Sequence, residues 1–286
     1  MTNKEKYRDF CKRELNIPIF SKDWWLDAVC VDGKWDVALV EKGGEIVASM
    51  PYFIKKEGMF KVITMPALTQ TMGPYIKYPH RQKYYKRLSW EKELMTKLIE
   101  QLPKFDSFNQ SFHHSITNWL PFYWKGFNFP VRYTYVIENI EDLELVYQSF
   151  DKSAKKNIKK AIKERISIID SDNIKKFYEV NSITFKKQNV DIPYSFNFIN
   201  RLYLNSKKNN ALIMKFAVKN DLIYSVMLAV FDNKNIYMLA GSSNRNIQTF
   251  GAEYYLYWEM IKEANLRGLN FDFGGSMMEN IEIINC

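Results

Sequence analysis

The stretch richest in possible chemistry is Gly241-Ser242-Ser243-Asn244-Arg245-Asn246-Ile247-Gln248-Thr249-Phe250-Gly251-Ala252. Glycine and small polar residues here lead from an apolar, strand-like run into a helical one. The first backbone N–H groups of a helix lack internal partners and mark the positive end of its dipole, so such a turn suits a pyrophosphate. Arg245 would add charge. The alternative is a polar loop in which Gly251 eases a tight turn. Asp272, followed by Gly274, Gly275 and Ser276, is a second candidate. A carboxylate at a strand end either faces a ligand at the sheet's edge or caps its own turn. His113 and His114, which with His80 are all the histidines, form a third. An imidazole there would take the proton from an attacking amine or hydroxyl, or serve only as a surface or structural residue.

Neither these histidines nor Cys11, Cys30 and Cys286 have metal-ligand spacing, so no metal is expected. Three cysteines without a CxxC pair point away from a disulfide framework and toward a reducing, cytoplasmic setting.

Charge concentrates on one predicted helix, Asp151–Arg165. At about 100° per residue, Lys152, Lys155, Lys156, Lys159, Lys160 and Lys163 share an arc of about 140°, opposite Ala154, Ile158, Ala161 and Ile162. Six ammonium groups on one face would hold tRNA phosphates, a nucleotide-linked sugar or an anionic membrane surface, or would simply be solvated. On a later helix Tyr254, Tyr257, Trp258, Ile261 and Ala264 share a face that reads as core.

The elements that must carry these residues come in a repeated order. Three strand-like runs start at Trp35 and are followed by Gln70-Thr71-Met72-Gly73, a helix from about 81 to 101 and a strand around 105–112. Three more start at Leu212 and are followed by Gln248-Thr249-Phe250-Gly251, a helix from about 252 to 267 and the strand from Leu269. The meanders start 177 positions apart and the Gln-Thr turns lie 178 apart, which reads as a duplication. The whole is an α+β order, with helices predicted near 141–150, 151–165, 173–189 and 195–207 between the halves. With 286 residues, a net charge of +9 and 16% aromatic residues, the chain has the makings of a two-domain globular protein with affinity for anions. No run approaches the ~20 apolar residues of a membrane span, and the amino terminus lacks a signal-peptide core.

Gln248-x-x-Gly251-Ala252 at a strand-to-helix turn resembles the acyl-CoA loop of the GNAT acyltransferase superfamily, although Glu253 stands where that pattern has Gly or Ala. Trp119-Leu120-Pro121-Phe122-Tyr123-Trp124-Lys125-Gly126-Phe127, Arg132-Tyr133-Thr134-Tyr135 and Phe271-Asp272-Phe273-Gly274-Gly275-Ser276-Met277 are similar to its FemAB-like branch, which has two tandem GNAT domains. The resemblance implies two such domains, 1–130 on the acceptor side and 131–286 on the donor side. Each would be a mostly antiparallel sheet flanked by helices. It implies N-acyl transfer to an amino sugar or peptide of a cell-envelope glycan precursor, small or lipid-linked, from acetyl-CoA or another acyl-CoA. The donor would lie on Gly241, Arg245, Gln248, Gly251 and Ala252, with N–H groups near Leu239–Gly241 polarising its carbonyl. The acceptor would enter between the domains beside Gln70, Tyr75 and His113, with Lys156 and Lys159 guarding one side. Asp272 and Tyr254 would join His113 in proton transfer. Fem-type enzymes use aminoacyl-tRNA instead, which keeps that donor open. A non-catalytic RNA- or membrane-binding module remains a further alternative, as does peripheral attachment at the inner membrane face. Two departures are Gln110-Ser111-Phe112-His113, where bridge-forming enzymes tend to have Asp-Pro, and the lack of a helical-hairpin arm. The family also continues with a final strand past its Asp-Phe-Gly-Gly motif, which a chain ending at Cys286 would lack.

Overall fold

The computed structural model describes residues 1–187 and 189–276; the expectation about a final strand lies outside them. The chain divides into two compact units, Met1–Val131 and Arg132–Cys286.

The amino-terminal unit begins with α1 (Asn3–Arg13) and α2 (Asp23–Val29), then forms β1 (Lys34–Lys42), β2 (Glu45–Glu57) and β3 (Phe60–Thr64). β4 (Tyr75–Ile76), α3 (Tyr84–Glu100), β5 (Ser107–Phe108) and α4 (Leu120–Trp124) follow. The sheet runs β1-β2-β3-β5, the first three strands antiparallel and β5 parallel to β3, with β4 added beside β2. Alternation on β1 decides its two cores. Trp35, Val37 and Leu39 meet Tyr7, Phe10 and Leu26, whereas Ala38 and Val40 meet Leu94, Met95 and Leu98 of α3.

The carboxy-terminal unit starts with β6 (Tyr133–Ile137), α5 (Leu143–Ser149), α6 (Lys152–Lys163) and β7 (Ser167–Asp170). It continues with α7 (Ile174–Lys187), α8 (Phe196–Lys208), β8 (Leu212–Lys219), β9 (Leu222–Phe231), β10 (Asn235–Ser243), α9 (Ala252–Arg267) and β11 (Asn270–Ser276). Its sheet order is β6-β11-β10-β9-β8-β7, antiparallel except for the parallel pair β10·β11 that α9 connects. α9 and α6 cover one face, and α7 and α8 pack against the other. That double cover is why β9 is apolar almost throughout.

Each unit therefore holds a three-strand antiparallel meander, a helix and a fourth strand parallel to the third. The two Gln-Thr turns do not match as expected. Gln248–Gly251 leads straight into α9, whereas Gln70–Gly73 leads into β4, and α3 begins only at Tyr84. The strand expected around 105–112 is confined to Ser107–Phe108, so His113 and His114 lie in the loop after it.

Candidate functional site

In the carboxy-terminal unit β10 and β11 share only three rungs, Asn235↔Asn270, Ile236↔Phe271 and Tyr237↔Asp272. Beyond the last rung β10 runs on to Ser243 along β9, while β11 continues against β6 through Gly275↔Thr134. The strands part, leaving the β10 edge from Met238 onward without a β11 partner. In that edge the register with β9 slips between Met238 and Ala240, so Leu239 forms a bulge and the backbone groups beside it leave the regular ladder. A split between parallel strands with a bulge on one lip can take an extended ligand and offer backbone N–H groups to a carbonyl oxygen.

Asp272 sits on the last rung, at the apex of the split, and is only 4% exposed. Its Oδ1 accepts from Thr134 Oγ1 at 2.5 Å and from the Gly274 N–H at 2.8 Å. The carboxylate fastens the β11 irregularity to β6, the turn-capping role that was one of its two readings. Beside it, burial and the Asp232 carboxylate push the Tyr237 phenol up, and that hydroxyl donates to Asp232.

The lip of β10 leads into the glycine turn, which Asn244 braces. Its N–H donates to Tyr224 O and its side chain to Ile223 O, and its Oδ1 accepts from the Asn246 N–H. Arg245 and Gln248 are exposed there, and the Arg245 carbonyl accepts from Lys187 Nζ. Gly241 lies on β10, close to the Met227 side chain. Phe250 and Gly251 both have left-handed backbone, with φ of 54° and 83°. A Cβ on Gly251 would lie 2.5 Å from the Asn157 carbonyl oxygen, because α6 crosses the start of α9 there. The glycine thus serves helix–helix approach as well as the turn. The Ala252 N–H is already bonded to Thr249 O, and its side chain is buried. Glu253 in the first turn of α9 accepts from Ser243 Oγ, so a carboxylate of the protein itself sits at this helix start.

α6 carries Asn157 at the border of its lysine arc, which sets Lys160 beside the turn, 5.3 Å from the Phe250 ring centre. Lys156 and Lys159 are exposed. Two expectations for this helix fail. Lys155 is half-buried and donates to Gln148 O, ending α5 rather than waiting for a ligand. Ile162 is 52% exposed, since its angular position is next to Lys155 at the edge of the apolar face. On α9 the buried stripe is Ala252, Leu256, Met260, Ile261 and Ala264. Tyr257 and Trp258 pack at its margin, and Tyr254, in the first turn, is half-buried.

On the sheet's other face a buried polar chain ends at β10. Ser242 Oγ donates to Asn181 Oδ1 at 2.5 Å, and Asn181 Nδ2 donates to the Tyr194 hydroxyl, whose pKa burial pushes up to about 12. Sequence reasoning missed Asn157 and this chain, and it quoted Thr134 without its bond to Asp272. The only signal was an uncharged Asn inside a lysine helix and a Ser pair ending an apolar strand.

In the amino-terminal unit the Met72 N–H donates to Ser111 O at 2.7 Å, which brings the Gln70 turn and the His113 loop together. Gly73 gives the Phe112 ring its place, since a Cβ would lie 2.4 Å from that ring. Nδ1 of His113 accepts from the Ser115 N–H at 3.2 Å and lies 2.8 Å from Ser115 Oγ, shaping its own turn. Tyr75 faces Glu14, and burial together with that carboxylate pushes its phenol up. Burial also pushes the Cys11 thiol up to about 12, so it is no nucleophile at neutral pH. Among the described residues no cluster of three or more His, Cys, Asp or Glu could hold a metal, and no helix is long and apolar enough to cross a membrane.

Residues 148–279 match the family model of the acetyltransferase (GNAT) domain. No curated protein matches the chain by sequence. The solved structure of FemX is similar over 96% of this chain and 88% of its own, with a TM-score of 0.72 at 13% identity. L-PGS from Bacillus licheniformis is similar over 98% and 80%, with a TM-score of 0.57 at 11% identity. A tandem GNAT protein from the clavulanic acid biosynthesis pathway is similar over 99% and 89%, with a TM-score of 0.52 at 8% identity.

Proposed function

We propose that this chain, an acyltransferase with a tandem GNAT, FemAB-like fold, binds an activated acyl donor in its carboxy-terminal unit and transfers the acyl group directly to an amine. The observation that carries this reading is the parting of β10 from β11 beside the Leu239 bulge. An acyl arm laid in the split would present its carbonyl oxygen to backbone N–H groups of the β10 lip, which stabilise negative charge as the tetrahedral adduct forms. Holding amine and carbonyl together lowers the barrier; the adduct collapses by expelling the donor's thiolate or ribose oxygen, which takes up the proton lost by the amine, and no covalent enzyme intermediate is required. We take the acceptor to be an amino sugar or peptide of a cell-envelope glycan precursor.

An acyl-CoA is the donor that the strand split and glycine turn favour, with Arg245, Gln248 and Lys160 near its phosphates. Glu253 favours the second reading, an aminoacyl-tRNA. A carboxylate held at the start of α9 opposes a diphosphate, whereas the exposed Lys156 and Lys159 suit a phosphate backbone. Calorimetric titration with acetyl-CoA separates the two. Saturable binding that weakens about tenfold in Arg245→Ala and tightens in Glu253→Gln supports acyl-CoA. No heat of binding to folded protein, together with salt-sensitive tRNA binding, supports the aminoacyl donor.

A further inference from the structure

A second surface lies in the amino-terminal unit. α4 buries Pro121 and Phe122 and turns Leu120, Tyr123 and Trp124 outward, with Tyr123 61% and Trp124 60% exposed. Trp119, also exposed, stacks on Phe129 with ring centres 4.3 Å apart, extending the apolar surface along the following turn. Exposed large side chains are usually scattered; here Trp119, Leu120, Tyr123 and Trp124 gather on one short element and its flank. Charge is just as uneven. From Ser107 to Val131 there is no acidic residue, Lys125 is exposed, and the Glu91 carboxylate that accepts from Asn118 Nδ2 is buried.

We propose that this aromatic patch is a membrane-docking surface that seats the protein on the headgroup region of a lipid bilayer. The residue types carry the choice of partner. Tyr and Trp combine an apolar ring with a polar edge and settle at the interface between hydrocarbon and water. The exposed Lys125 favours lipid phosphates and the Glu91 carboxylate is buried against Arg87 and Asn118, so repulsion is small and a single cation adds only modest selectivity for anionic lipid. Docking is then driven by rings rather than by charge, which separates this surface from the lysine face of α6. The proposal stands apart from the identity of the acyl donor.

The test uses the full chain and vesicles of phosphatidylcholine, with and without phosphatidylglycerol. Sedimentation with both, and quenching of tryptophan fluorescence by brominated-chain phosphatidylcholine, is the expected result. Tyr123→Ser/Trp124→Ser lowers the partition coefficient by about tenfold or more per ring. Both side chains are mostly solvated, so the melting temperature stays unchanged. Met59→Ser/Phe60→Ser, at another exposed apolar turn, leaves binding intact and controls for general stickiness. The proposal is overturned if the wild-type chain ignores both vesicles, or if Tyr123→Ser/Trp124→Ser binds as well as wild type. It is equally overturned if only Lys156→Glu/Lys159→Glu abolishes binding, or if the patch instead mediates a dimer that ignores lipid.

Discussion

Two residues show how a site-like feature serves structure. Asp272 looks catalytic in sequence because glycines follow a carboxylate, yet its bonds to Thr134 and Gly274 hold β11 in place. Asp272→Ala should cost about 1–2 kcal/mol in denaturant unfolding, because a half-buried hydroxyl and N–H lose their acceptor. Asp272→Asn, which keeps one carbonyl acceptor, should retain much of that stability. A fall in kcat for Asp272→Asn without a matching loss of stability would give the carboxylate a part in the reaction. Gly251→Ala should be worse, about 2–4 kcal/mol, from its left-handed backbone and the collision with Asn157. A bulky residue at Gly251 is therefore a poor probe of donor phosphates, whereas Arg245→Ala touches charge on an exposed turn.

Elements were legible where hydrophobic period and turn residues agreed. Both meanders, α6 and α9 stand close to where the sequence puts them, since Gly43-Gly44, Gly58 and Asn220-Asp221 adopt the left-handed turns that such residues allow. The Leu239 bulge was not legible, because β10 is apolar on both faces and one slipped residue leaves no break in the pattern. Nor was the early departure of β11, which shows only in how far it pairs with β10 on one edge and β6 on the other. The α6 face was read as six ammonium groups on one arc; the structure distinguishes Lys155, spent on α5, from the exposed remainder. If α6 grips nucleic acid, Lys156→Glu/Lys159→Glu should make the dependence of log K on log salt shallower by roughly one to two units. An unchanged slope in filter-binding titrations would remove α6 from the interface.

At the scale of the molecule, buried phenols set an alkaline limit. Burial pushes Tyr52 and Tyr194 up to about 12, and Tyr7, Tyr75 and Tyr237 also rise. The unfolded chain loses these protons near pH 10, before the folded one does, so their contribution is full below pH 10 and is lost as pH rises toward 12. Thermal melts followed by circular dichroism should show a falling Tm above pH 10 and none of this loss between pH 7 and 9. Each unit also has its own buried clusters. A fragment beginning at Arg132 keeps β6 with its sheet and should give a cooperative melt by itself; a non-cooperative melt would make the units interdependent.

The pairing of β6 with β11 has a temporal side. Ile137 lies opposite Phe271, so these two paired strands are 134 residues apart along the chain. At roughly 5–20 residues per second of synthesis, β6 leaves the ribosome about 7–27 seconds before its partner exists. For that interval the backbone N–H and C=O groups of β6 have no β11 to pair with, so this edge of the sheet closes only after α9 and β11 have been made.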